Sequence, residues 1–325
     1  MSEPRPAATV QLLCATVRAL LDKRLIFVTG KGGVGKSTVA AALGVLAARE
    51  GLRTVIAELS SQERSQRLFG HHGKQFEEVE LAPGLFTISI DPEHAMDEYL
   101  RVKVGALGHA LGSSRLFQAF AMATPGMREL LSIGKVWELA QLERRTRGAA
   151  PYDLVIVDAP ATGHGVGLLR TPRTFADIAR VGPIAHQGRT IAATIADRSF
   201  TGVVAVATPE EIPVNETLLL CEALEADQLA VDLVVLNGLY PLRFDEREVG
   251  ELAEALQRSR SQLSRSALRA ALAEHARADT QRAQRARLHA GVNGRLVDLP
   301  YVFAEHLAPP EIEALADALA THLAE

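Results

Sequence analysis

The sequence predicts an α/β fold, a doubly wound and mainly parallel sheet with an added layer of helices. Three observations predict it. Short apolar runs recur along the chain, with the length and make-up of strands buried on both faces. Ala- and Leu-rich stretches of helical character separate them, the alternation that builds parallel sheets. Between the first run, Leu25 to Thr29, and the first helix, Val39 to Arg49, lies Gly30-Lys31-Gly32-Gly33-Val34-Gly35-Lys36-Ser37-Thr38. This string fits G-x-x-x-x-G-K-[ST], the loop that cradles phosphates.

The residue types of the loop follow from what a phosphate needs. Gly32, Gly33 and Gly35 let the backbone close on oxygens at dihedrals costly for other residues. Strand, loop and helix N-terminus gather backbone N–H groups at one point, an anion site before any side chain is counted. Lys36 is expected to place its ammonium on the β and γ phosphates of a nucleotide, and Ser37 to offer its hydroxyl to Mg²⁺. The bland reading, a plain strand-to-helix turn, needs a complete motif in the right context to be coincidence.

At 325 residues, 47% hydrophobic and 23% charged, the chain has the make-up of a globular protein with a sizeable core. It is read as a single domain over residues 1–325. A net charge of −4 gives no sign of a general nucleic-acid binder. Cys14 and Cys221 stand far apart and form no C-x-x-C, so a disulfide framework, an iron–sulfur site and a cysteine zinc site are not expected. No run reaches the length of a membrane span, and the N-terminus lacks the pattern of a signal peptide. A cytoplasmic location is expected.

Each element then follows in order. Residues 1–9 are expected to be disordered. Val10 to Leu21 has apolar residues at helical spacing and is expected to pack against the sheet edge. Gly51 caps the loop helix. Thr54 to Glu58 is a second strand, ending on an acid at the edge where parallel sheets place ligands. Leu59 to Gly70 is polar and expected to be mobile. Leu85 to Ile90 is a third strand, and Asp91 follows as the N-cap of a helix with Pro92 at its first position. Residues 93–147 and 164–200 are read as helical inserts, with the fourth strand, Asp153 to Asp158, between them. Gly202 to Ala207, Val231 to Gly238 and Leu296 to Pro300 complete about seven strands. Residues 244–290 read as an exposed helical pair. Pro309-Pro310 opens a closing amphipathic helix with Ile312, Leu315, Leu319 and Leu323 on one face.

Two segments carry a resemblance. The extra lysine of the loop, Lys31, makes G-K-G-G-V-G-K-S-T similar to the deviant Walker A ATPases. Asp158-Ala159-Pro160-Ala161-Thr162-Gly163-His164 resembles the second switch of one branch, the arsenite-efflux and tail-anchored-protein targeting ATPases, with Ala161 where proline is usual. Thr124 to Leu131 resembles a Pro-Gly-x-x-Glu stretch of the same family. The resemblance implies a P-loop NTPase fold and a set of roles. Lys31 would reach across a dimer interface to the partner's nucleotide, in the manner of an arginine finger supplied in trans. Asp158 would share Mg²⁺ with Ser37, and Gly163 would approach the γ-phosphate. Asn237 would read adenine, with Pro300 and the loop 301–303 lining its pocket. Glu58 stands where the family has an aspartate that polarises the attacking water. Lys31, Glu58 and Lys36 are thus the candidate catalytic residues. Gly30 to Thr38, Gly163, Asn237 and Pro300 are the nucleotide-binding candidates. An idle acid at Glu58 and a turn role for Asn237 stay open, as do relay and surface roles for His164. Glu210 is a further candidate near the partner's site.

The implied protein is a cytoplasmic, Mg²⁺-dependent ATPase that binds ATP and cycles between open and closed dimers. Its partner would be a second copy or a paralogous ATPase, with a client protein held by the helical layer. The cysteines that bind arsenite in arsenite pumps are absent, as is the C-x-x-C of a zinc-clasped dimer. Four methionines in all speak against an adaptable groove for membrane-protein tails. Two other readings stand beside this one. A nucleotide-gated scaffold, or a weakly active subunit of a heterodimer, is favoured by glutamate at position 58. A surface-partitioning ATPase would need a basic final helix, and Pro310 to Glu325 has no lysine or arginine.

Overall fold

The computed structural model describes residues 17–59, 63–73, 75–104, 123–124, 126–144, 148–160, 167–174, 183–227, 229–292 and 295–322. Eight strands form one sheet: β1 (Leu25–Gly30), β2 (Thr54–Glu58), β3 (Val79–Ala82), β4 (Leu85–Ser89), β5 (Leu154–Asp158), β6 (Thr201–Ala207), β7 (Leu233–Leu239) and β8 (Leu296–Pro300). Their spatial order is β3-β4-β2-β5-β1-β6-β7-β8, and every neighbouring pair is parallel except β3–β4. The central strands are apolar at every position because both faces are covered: β1, β2, β5 and β6 are buried along their whole length. β3 is an addition to the seven strands read from the sequence. It is four residues long, half-exposed and joined to β4 by Pro83-Gly84, so no buried apolar run announced it.

Nine helices have both ends among the described residues: α1 (Lys36–Arg49), α2 (Arg64–Leu68), α3 (Pro92–Val104), α4 (Met127–Leu139), α5 (Pro183–Ala196), α6 (Glu211–Ala226), α7 (Glu246–Arg258), α8 (Gln262–Gly291) and α9 (Pro309–Ala320); residues 17–21 and 167–174 are helical as well. Successive residues of β1 face opposite layers. Ile26 and Val28 pack with the apolar residues of α1 and α9, whereas Leu25 and Phe27 pack with those of α4, α5, α6 and α8. α1 begins at Lys36, three residues before the apolar run that marked it, and its Ala-rich face lies on the sheet. The apolar face of α9 (Ile312, Leu315, Leu319) is buried, and its acids Glu313 and Asp317 hold Arg49 of α1. That face therefore belongs to the core rather than to a surface partner. α7 buries none of its residues, as expected of an exposed helix, whereas α8 buries Ala278, Gln281 and Leu288.

α3, α4 and α5 form the helical layer. Asp91 caps α3, accepting from the N–H of His94 at 3.1 Å. A small apolar cavity of about 130 Å³ lies between the three helices, bordered by Met96, Tyr99, Met127, Leu131 and Ile191. Beside it runs a chain of buried charges. Lys135 pairs with Glu98 of α3 at 2.8 Å and with Glu138 at 3.0 Å. Arg144 pairs with Glu138 at 3.2 Å and with Glu78 at 2.5 Å, and the Tyr152 hydroxyl donates to Glu78 at 2.6 Å. The candidates Cys14, Leu107, Leu116, Phe117, Phe120, Met122, Gly163 and His164 lie outside the described residues. Cys221 sits buried in α6, its thiol pushed up to about 11 chiefly by burial, and so is a packing residue rather than a nucleophile. Among the described residues no helix is long and apolar enough to cross a membrane.

Candidate nucleotide site

The sheet's winding direction changes around β1. The chain builds β2, β4 and β5 on one side of it, then crosses to lay β6, β7 and β8 on the other. Carboxyl ends diverge at such a point and leave a crevice for ligands. Gly30, Glu58, Asp158, Asn237 and Pro300 all stand at or near those ends.

The loop from Gly30 to Gly35 turns β1 into α1. At Gly30 a Cβ would lie 2.3 Å from the carbonyl oxygen of Val206 on β6, so nothing larger than hydrogen fits there. Gly35 takes φ +90° as the residue that starts α1, and a Cβ on it would meet the Asn237 amide at 2.2 Å. Asn237 lies where the pairing of β7 with β8 slips register, between Leu236 and Leu239, and Gly238 there has φ +83°. The slip lets Asn237 Nδ2 donate to the carbonyl oxygen of Val34 at 2.9 Å. Val34 itself is buried and anchors the loop in the core.

At the foot of the loop the Ser37 hydroxyl donates to Asp158 Oδ2 at 2.5 Å. Lys36, buried beneath the loop, donates through Nζ to the Lys31 carbonyl oxygen at 2.8 Å. Burial lowers the affinity of Lys36 for its proton, and the Asp158 carboxylate opposes that effect. Burial pushes the Asp158 carboxyl above the usual aspartate range; the Ser37 hydrogen bond counters it, and the charge of Glu58 adds to the rise. Glu58 and Asp158 are register partners across β2 and β5, so two carboxylates stand side by side. A cation would relieve that pair. Ser37 and Asp158 could take it up with a substrate's phosphates, as Mg²⁺ is commonly held, with few protein ligands. Among the described residues no group of three His, Cys, Asp or Glu side chains converges on one point.

Glu58 does not point an unengaged carboxylate into the cleft. Its two oxygens accept from the backbone N–H groups of Arg64 at 2.9 Å and Ser65 at 2.5 Å, and the residue is 1% exposed. It thereby holds the start of α2, within the segment read from the sequence as mobile. Lys31 turns from the loop toward α6, where its ammonium pairs with Glu216 at 2.7 Å with both side chains partly exposed. Glu210, just before α6, borders the wide part of the cleft.

That cleft has two parts. One, of about 420 Å³, is bordered by Gly33, Gly35, Lys36, Ser37, Thr38, Arg64 and Arg67. The other, of about 960 Å³, holds Asn237, Pro300 and Tyr301 on one wall and Arg277, Thr280 and Gln281 of α8 on another. Gly33, Thr38 and Leu307 border both parts, so they adjoin. Tyr301 lies 4.5 Å from Tyr240 and 4.9 Å from Phe303 between ring centres, an aromatic group at the mouth. Arg64, Arg67, Glu216 and Tyr240 were not singled out from the sequence. The one available signal was a pair of arginines three apart, six and nine positions after an acidic strand end.

A parallel sheet whose first strand ends in this loop, with an acid from the adjacent strand bonded to the loop serine, defines a P-loop nucleoside triphosphatase. Comparison with known proteins narrows the class. The family model described as anion-transporting ATPase matches residues 23–182. ATPase BagA of Mycobacterium tuberculosis is 30% identical over 239 residues, covering 71% of this chain and 69% of that one. ATPase GET3 of Podospora anserina is 30% identical over 164 residues, 48% of this chain and 46% of its own. A protein of Halobacterium salinarum named as an arsenical pump-driving ATPase is 26% identical over 235 residues, 68% of this chain and 35% of its own. The chain belongs to the anion-transporting ATPase family and is an ATP hydrolase.

Proposed function

We propose that this chain is a cytoplasmic, Mg²⁺-dependent ATPase that uses ATP to join two subunits and so controls its grip on a client protein. The observation that carries this reading is the split between the two loop lysines. Lys36 lies under the loop, bonded to its backbone, whereas the Lys31 ammonium is held by Glu216 and borders neither part of its own cleft. A lysine placed in the phosphate loop but directed out of it fits service to a neighbouring subunit's nucleotide.

In the proposed site the triphosphate lies along the loop, its γ-phosphate near Lys36 and Ser37 and its base between Asn237, Pro300 and Tyr301. Mg²⁺, held by Ser37 and by Asp158 through water, would neutralise charge on the β and γ oxygens. In hydrolysis a water oxygen bonds to Pγ while the bond from Pγ to the β–γ bridging oxygen breaks, its electron pair leaving on ADP. The proton of that water ends on phosphate or solvent. The apolar pocket between α3, α4 and α5 supports a client role for the helical layer. The partner subunit is a second copy or a paralogue.

Light scattering with and without ATP tests the reading. The parent protein is expected to double in mass with ATP and Mg²⁺, and Lys31→Ala to stay monomeric while still binding nucleotide. Dimerisation of Lys31→Ala at the parent's ATP concentration would refute the trans role. A second reading, a nucleotide-gated scaffold with slow turnover, is supported by Glu58, whose carboxylate is engaged by two backbone donors rather than placed to activate water. Steady-state turnover of purified protein separates the two.

A further inference from the structure

We infer that Arg64 contacts the γ-phosphate from within the same subunit, and that Glu58 is the positioning residue that sets it there. This rests on the reading of the cleft as an ATP site. Three observations support it. Arg64 borders the phosphate part of the cleft together with Lys36, Ser37 and Thr38. Its Nη1 lies 3.4 Å from Ser37 Oγ, the hydroxyl that also bonds Asp158. Finally, its backbone N–H is bonded to Glu58, so the arginine is tied to the end of β2, the strand next to Asp158.

The need for such a cation follows from the charges already present. Two carboxylates, Glu58 and Asp158, lie side by side at the floor of the site. Against them the loop supplies Lys36, while Lys31 is occupied by Glu216. A triphosphate entering this place brings more negative charge, which a fixed guanidinium would offset most strongly where charge builds on the equatorial oxygens. The planar fork of arginine suits two phosphate oxygens at once, which an ammonium cannot match.

The extra methylene of glutamate acquires a purpose here. It lets one carboxylate at the strand end reach the N–H groups of residues six and seven positions further on. An aspartate would fall short by about one C–C bond, roughly 1.5 Å. Glu58→Asp is therefore expected to slow hydrolysis by loosening α2, whereas an acid acting directly on water with limited reach would be helped by the change.

The test compares nucleotides that differ by the γ-phosphate. Affinities for ADP and for the non-hydrolysable β,γ-imido analogue of ATP are measured with Mg²⁺ by calorimetry, alongside kcat and melting temperature. Arg64→Ala is expected to lower kcat about 100-fold and to weaken the imido analogue about tenfold, with ADP affinity changed less than twofold. Arg64→Lys is expected to recover much of the analogue's binding but little of kcat. Arg64 is exposed, so the melting temperature should stay within about 1 °C of the parent. Equal loss of ADP and analogue binding would overturn the inference in favour of a structural role, and unchanged kcat would overturn it outright. A parent protein that bound neither nucleotide would instead bring down the ATP-site reading itself.

Discussion

At the loop end of the cleft, the proposed phosphate end, the walls are strand ends and a loop pinned to the core; at the other, the proposed base end, they are side chains leaning on one another. Lys36, Glu58 and Asp158 are buried and each is fixed by a bond to backbone or hydroxyl. Tyr301, 41% exposed, rests on Tyr240 and Phe303 in loops beyond β7 and β8. Charge development has to be met by groups that do not move, because reorganisation would consume the stabilisation they offer. A base needs only a flat, adaptable surface. The contrast teaches that substitutions at the two ends should separate, one set acting on turnover and the other on affinity.

The largest expected effect comes from Lys36→Ala. Turnover should fall at least about 1,000-fold, since it removes the loop's own cation from the transferring phosphate. A protein that kept a tenth of the parent's turnover would show that the charged end is not built around this lysine. Asp158→Asn is next, with turnover falling about 100-fold. Its effect on stability should run the other way. Burial raises the Asp158 pKa in the folded protein, so ionisation there costs stability. That cost is absent well below about pH 4, where the acid is protonated folded or unfolded, and grows as pH rises through the raised pKa of the folded state. Without nucleotide, Asp158→Asn should therefore melt about 1–3 °C above the parent at pH 7, and the advantage should vanish at acid pH. A gain that persisted at low pH would rule out this cause.

Tyr301→Ala sharpens the comparison from the base end. KM for ATP should rise about tenfold, the scale of one lost base–aromatic stack, with kcat changed less than twofold. A parallel fall in kcat would mean that the two ends act as one unit. Glu216→Gln should have the smallest effect. It releases the Lys31 ammonium from a half-exposed pair, a kind worth under about 1 kcal/mol, and should lower the ATP concentration needed for the proposed dimerisation about two- to fivefold by light scattering.

The loop end was legible in the sequence because its motif is written in consecutive residues. Gly30 to Thr38 can be read as one string, and Asp158 ends an apolar run that marks its own strand. The sheet was legible for the same reason, since each central strand is a short apolar run. What escaped depends on distance along the chain. Glu216 meets Lys31 across 185 positions, and only the packing of α6 beside β1 and β6 reveals it. β3 escaped because an edge strand needs no second buried face and leaves only a weak pattern. α2 escaped because its start is held by a strand-end carboxylate rather than by a local cap, so the polar segment around it looked unstructured.

The run of charges through the helical layer carries a last consequence. Lys135, Glu138 and Arg144 are almost wholly shielded from water, and each leans on the next for its counter-charge. Parting α3 from α4 would take Lys135, which keeps Glu138, away from Glu98, and a carboxylate stranded in a dry setting commonly costs about 3–5 kcal/mol. Small excursions are therefore discouraged and a full, hydrated separation is the next available state. The layer should open like a latch, in one step that lets water in along the whole row, and the far end of that row, Glu78, sits only ten residues beyond the last residue of α2.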